Sequence, residues 1–156
     1  MDTIWKPNVT VAAIIERDGR FLVVEEEVSD GDRGLTLRIN QPAGHLDEGE
    51  SLVQACARET LEETAWRFTP RQLVGIYQWQ RPQKDITYLR FAYCGELGEE
   101  VAGRALDDGI LRALWLTPAE LDARRGQHRS PLVMQCIHDY LAGHRYPLEL
   151  VRHYGQ

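Results

Sequence analysis

Three glutamates, Glu59, Glu62 and Glu63, follow Arg58 directly in the stretch GHLDEGESLVQACARETLEETAW, which runs from Gly44 to Trp66. At roughly 100° per residue, helical positions four apart lie about 40° apart, so Glu59 and Glu63 project side by side with Glu62 flanking them. Carboxylates gathered in one place repel one another. A divalent cation that prefers oxygen is the usual reason to gather them; Mg²⁺ fits first and Mn²⁺ is a possible substitute. A solvated acidic helix face is the simpler alternative for the same three residues. The neighbouring sequence favours the metal.

Gly44, Glu50, Arg58, Glu59, Glu62 and Glu63 stand at the spacing glycine, five residues, glutamate, seven residues, Arg-Glu, two residues, Glu-Glu. In this the stretch resembles the Nudix box. The resemblance implies metal ligation by Glu59 and Glu63, with Glu62 as a ligand or its close support. Gly44 becomes a loop position where backbone can approach metal or phosphate. Glu62 and Glu63 are also candidates for the general base, and Arg58 belongs to the same catalytic set. Arg58 and Glu50 read either as partners that orient loop and ligands or as a simple ion pair. Thr60, Ala65 and Trp66 depart from the pattern, which has an aliphatic residue, a glycine and a smaller aliphatic there. Because a left-handed helix end tolerates glycine far better than alanine, Ala65 predicts a different exit from the helix.

Further segments, KPNVTVA, FLVVEE, NQPAGHL, SPLV and RYPLE, are similar to those of the NudJ-type phosphatases within the same superfamily. That resemblance implies release of terminal phosphate from nucleoside di- and triphosphates. It also implies action on thiamine-pathway diphosphates, namely hydroxymethylpyrimidine diphosphate and thiamine diphosphate. Two rivals stay open: a pyrophosphohydrolase that yields a nucleoside monophosphate and pyrophosphate, and an idle domain that binds a nucleotide as a regulator.

Substrate contacts are expected outside the box. Trp79 can stack on a heteroaromatic ring or fill the core, and Arg38, Lys84 or Arg90 can meet a phosphate. Glu25 and Glu26 close a strand near the site and are either helpers there or surface acids, and His45 follows the loop glycine. Glu96, Glu99, Glu100, Asp107 and Asp108 supply alternative bases, all read as lying between the last two strands. Trp115 reads as core.

These groups need a scaffold. Asp18-Gly19 between the apolar runs Asn8 to Ile15 and Phe21 to Val24 signals a hairpin. Val28 to Gly34 reads as a loop, and strands are expected at Leu35 to Asn40, Gln72 to Gln80, Ile86 to Leu97 and Ile110 to Leu116. Helices are predicted over Ser51 to Thr64, with the glutamates at its edge, after the capping signature Thr117-Pro118-Ala119-Glu120, and from Ser130-Pro131 to Gly143. The pattern gives an α/β fold, and the resemblance sharpens it to a Nudix-type α/β/α sandwich around a central mixed sheet.

A chain of 156 residues suits one domain. No apolar run nears the ~20 residues of a membrane span, and MDTIWKPNVT lacks a secretory pattern, so a cytoplasmic protein off the membrane is expected. Three cysteines, Cys56, Cys94 and Cys136, are too few and too scattered for a disulfide framework and read as buried thiols. The net charge of −6 argues against a nucleic-acid polymer but not against a small phosphoanhydride partner, since a bound cation reverses the local sign. Monomer and dimer are equally compatible with the sequence.

Overall fold

The computed structural model describes residues 3–29, 31–83 and 85–155; Lys84, one of the expected phosphate contacts, lies outside them. Its strands are β1 Asn8–Ala13, β2 Glu16–Arg17, β3 Arg20–Ser29, β4 Leu35–Asn40, β5 Ala43–His45, β6 Trp66–Gln80, β7 Thr87–Glu100, β8 Ile110–Leu116 and β9 Tyr146–Pro147. Its α-helices are α1 Leu52–Thr64, α2 Pro118–Ala123 and α3 Leu132–Leu141. A mixed sheet in the order β5-β1-β7-β6-β9, with β1 parallel to β7, is joined by an antiparallel sheet in which β2, β4 and β8 all pair with β3.

Period-2 alternation builds a core on each side. Ala12 and Ile14 face Met134, Cys136 and Ile137 of α3, whereas Val11, Ala13 and Ile15 face Ala55 and Cys56 of α1. A strand buried on both faces reads as continuously apolar, as VAAII does here. The hairpin turns on Asp18 (φ 53°) and Gly19 (φ 78°), the two positive dihedrals that a type I′ turn requires.

Strand β6 begins at Trp66, six residues before the expected start. Pro70 lies within it, and register shifts at Trp66/Phe68 and Pro70/Gln72 accommodate the proline as bulges. The polar stretch after Val28 is shorter than expected, because β3 runs to Ser29 and residues Gly31–Arg33 form a 3-10 turn. Glu96, Glu99 and Glu100 belong to β7 and not to a loop.

Helix α1 opens with a capping box. The Ser51 hydroxyl accepts from the Gln54 amide (3.1 Å) and the Gln54 side-chain oxygen from the Ser51 amide (2.8 Å). Its buried stripe is Ala55, Cys56, Thr60, Glu63 and Thr64, so Glu63 turns inward instead of staying at the edge. Thr60 fits this apolar side because its hydroxyl donates to the Cys56 carbonyl at 2.8 Å.

The expected change of helix exit does not occur. Ala65 itself adopts the left-handed conformation, φ 64° and ψ 10°, and its amide donates to the Leu61 carbonyl at 2.9 Å. An L-residue there is strained where glycine is not. Ala65→Gly therefore stabilises the protein by about 0.5–1 kcal/mol, the strain relief exceeding the entropy that glycine adds to the unfolded chain. Urea unfolding measures it, and a lower midpoint for the variant refutes the strain argument.

Candidate active site

The strand-to-helix stretch around Gly44 gathers the expected residues. The Arg58 guanidinium contacts Glu50 at 2.6 Å and 3.0 Å, Glu59 at 2.9 Å, Glu62 at 3.2 Å and the His45 carbonyl at 2.9 Å. Glu50 and Arg58 thereby act as a brace that orients Glu59 and Glu62 and ties them to β5. Arg58 hydrogen bonds hold the Glu50 carboxyl below its ordinary range, outweighing partial burial. Burial pushes the Glu59 carboxyl up, against the pull of Arg58.

Gly44 is there for space. A Cβ at this position would fall on the carboxylate of Glu59. Glu63, buried beside them, accepts from the Ala43 amide at 2.9 Å. Burial pushes its carboxyl up to about 9, with the nearby Glu59, Glu26 and Asp107 adding to the effect.

Among the described residues, Glu59, Glu62 and Asp107 each offer a carboxylate oxygen, and these atoms all lie within 4.8 Å of one another. Asp107 comes from the loop between β7 and β8, where its amide donates to the Glu62 carbonyl at 3.0 Å and the Val101 amide to the Ala65 carbonyl at 2.7 Å. The loop thus caps carbonyls that α1 leaves open at its end. All three carboxylates are hard oxygen donors, the chemistry that Mg²⁺ or Mn²⁺ requires.

Beside this group opens a cleft of about 340 Å³, lined by Gly44, His45, Glu59 and Glu63 on one side and by Glu26, Trp79, Tyr88 and Arg90 among others. Trp79 and Tyr88 are cross-strand neighbours with stacked rings, 5.9 Å apart and 15° from parallel, and form an aromatic wall. Arg90 is buried, and its hydrogen bonds go to neutral groups: Gln41 at 3.0 Å, Asn40 at 2.9 Å and the Cys136 sulfur at 3.8 Å. Glu26 pairs with Arg129 at 3.2 Å, and burial pushes its carboxyl up.

Two expected contacts fall elsewhere. Arg38 lines an adjoining cleft and donates to the Gly126 carbonyl at 3.2 Å. Glu25, one strand position from Glu26 and so on the opposite face, is ion-paired with Arg112 and with Arg124 (2.7 Å). Trp115 packs edge-on against Trp66, with Arg17 over both rings. Cys56, Cys94 and Cys136 are free and buried. The loop from Arg81 to Asp85, expected with Val28 to Gly34 to shape the pocket, supplies Arg81 to the lining, whereas sequence reasoning missed Gln41, Arg129 and Ser130, which lie in turns or at strand ends.

Residues 5–136 match the family model described as the NUDIX domain. The chain belongs to the Nudix family. It is 40% identical over 148 residues to Phosphatase NudJ of Escherichia coli (strain K12), covering 95% of this chain and 92% of that protein, and equally to Phosphatase NudJ of Shigella sonnei (strain Ss046). Among solved structures, a NUDIX hydrolase from Nitrosomonas europaea is 52% identical, with a TM-score of 0.89 over 96% of this chain and 98% of that one. A MutT NUDIX hydrolase from Burkholderia pseudomallei shares the fold at 19% identity, with a TM-score of 0.69 over 86% of this chain and 98% of that one. The Nudix chain is accordingly a hydrolase with the family's mixed α/β architecture. No helix among its described residues is long and apolar enough to cross a membrane.

Proposed function

We propose that this Nudix hydrolase is a single-domain, Mg²⁺-dependent phosphatase that removes the terminal phosphate of nucleoside di- and triphosphates and of thiamine-pathway diphosphates. The observation that carries the reading is the meeting, at one cleft, of a carboxylate cluster that reaches it through Glu59 with the buried Arg90, whose hydrogen bonds among the described residues go to neutral groups. Arg90, hydrogen-bonded to neutral groups and with only the partly buried Glu26 carboxylate acting on it across the cleft, favours an anionic ligand, and a carboxylate cluster favours a cation; a metal-phosphate ligand satisfies both. Similarity to proteins named Phosphatase NudJ supports release of phosphate over release of pyrophosphate.

Glu59 and Glu62, with Asp107, are the residues that would hold the ion, and Glu63 faces the same space. Such an ion supplies charge neutralisation on phosphoryl oxygens and a more acidic water. The protein's part is positional. Arg58 and Glu50 fix the carboxylates, Gly44 leaves room for Glu59, Arg90 holds a phosphoryl oxygen, and Trp79 with Tyr88 receives the ring. Glu62 or Glu63 is the general base in this reading.

The bond broken is the test. Early-time analysis of GTP or CTP hydrolysis with excess Mg²⁺ and no added pyrophosphatase is expected to give orthophosphate as the first product. Pyrophosphate and nucleoside monophosphate appearing together from the first turnovers would reject the phosphatase reading and establish a pyrophosphohydrolase.

A further inference from the structure

A second cleft, of about 640 Å³, adjoins the first and shares Trp79, Arg81, Arg129 and Ser130 with it. The two differ in charge. The first carries Glu26, Glu59 and Glu63 beside Arg81, Arg90 and Arg129, whereas the second brings together Arg38, Arg81, Arg125 and Arg129 with no carboxylate among its described lining residues. Four guanidinium groups line one cleft of a chain whose net charge is −6. All four are engaged: Asp85 pairs with Arg81, Asp122 with Arg125 and Glu26 with Arg129, each from outside the lining, and Arg38 is held in part by the Gly126 carbonyl. These pairs are solvent-exposed to differing degrees, and exposed pairs contribute little, so an arginine there can exchange a carboxylate for a phosphate without large loss. His128, also in the lining, gives its ring nitrogen to the Leu121 carbonyl at 2.8 Å, and burial holds its pKa below the ordinary value.

We infer that the second cleft binds a second phosphate of the substrate, carried on the sugar of a nucleotide whose base stacks on Trp79. The ligand class is a nucleotide phosphorylated at both its 5′ and 3′ positions. This deepens the phosphatase reading and rests on its placement of the 5′ chain toward Glu59 and Glu63. With the base on the aromatic wall, the sugar sits where the two clefts meet and its 3′ substituent enters the arginine-lined one. Arginine forks suit a phosphate monoester, which offers several strong acceptor oxygens.

Calorimetric binding of adenosine 3′,5′-bisphosphate against adenosine 5′-monophosphate, both with Mg²⁺, tests the inference. Neither ligand has a phosphoanhydride bond, so the result does not depend on hydrolysis. The bisphosphate is expected to bind at least about tenfold more tightly. Arg125→Gln, at an exposed side chain that lines only the second cleft, is expected to bring that ratio to about two or less. Equal affinities in the unmodified protein, failure of both nucleotides to bind at millimolar concentration, or a preference undiminished in both Arg125→Gln and Arg38→Gln would each overturn it. Loss of the orthophosphate result with this preference intact would remove the phosphatase reading alone.

Discussion

Replacing Glu59 by glutamine is expected to lower turnover by more than about 10²-fold while the protein stays folded. Partners that only orient metal ligands are typically worth 10–100-fold, so a ligand itself should exceed roughly that range. Glutamine keeps the length of the side chain and one carbonyl oxygen but loses the charge that a cation and Arg58 both use. The fold should tolerate it, because Arg58 retains Glu50, Glu62 and the His45 carbonyl. Steady-state rates across a Mg²⁺ titration, together with thermal unfolding, decide the matter. Near-normal turnover with unchanged metal dependence would remove Glu59 from the metal site.

Gly44→Ala is expected to reduce turnover by about 10²-fold with little loss of stability, the scale on which small misplacements act in catalytic sites. The added methyl would coincide with the Glu59 carboxylate. Backbone movement is restricted on the β5 side, where Gly44 pairs with Val11 of β1. The carboxylate, at the end of a flexible side chain, gives way first. Destabilisation should therefore remain small while the Glu59 carboxylate, a metal ligand in the proposed function, leaves its place. Wild-type kcat in this variant would mean that Glu59 need not occupy the observed position.

What the sequence disclosed depended on the range of the interaction. The Asp18-Gly19 turn, the Thr117 to Glu120 capping box and the spacing of Glu59, Glu62 and Glu63 are local and could be read from the residues themselves. Arg129 meets Glu26 from 103 positions away, and Gln41 meets Val133 across 92, so no periodicity signals either contact. Asp107 appeared among five loop acids with nothing to separate it from the others. Its selection comes from a backbone bond to Glu62, which depends on how a later loop docks. The buried orientation of Glu63 was hidden for a different reason. A glutamate is read as a surface residue, and only the Ala43 amide beneath it makes the inward position tolerable.

Ala65 also bears on how this enzyme can be engineered. A helix carried straight on through Ala65 would offer the Glu62 carbonyl to the Trp66 amide, which instead donates to the Thr64 hydroxyl at 3.1 Å. The left-handed turn keeps that carbonyl open for Asp107 and directs the Ala65 carbonyl to Val101. Lengthening α1, an ordinary route to greater thermal tolerance, would compete for the bond that seats Asp107 beside Glu59 and Glu62. Heat resistance sought at this helix end would thus trade against activity, whereas glycine at the same position relieves the strain and keeps the turn.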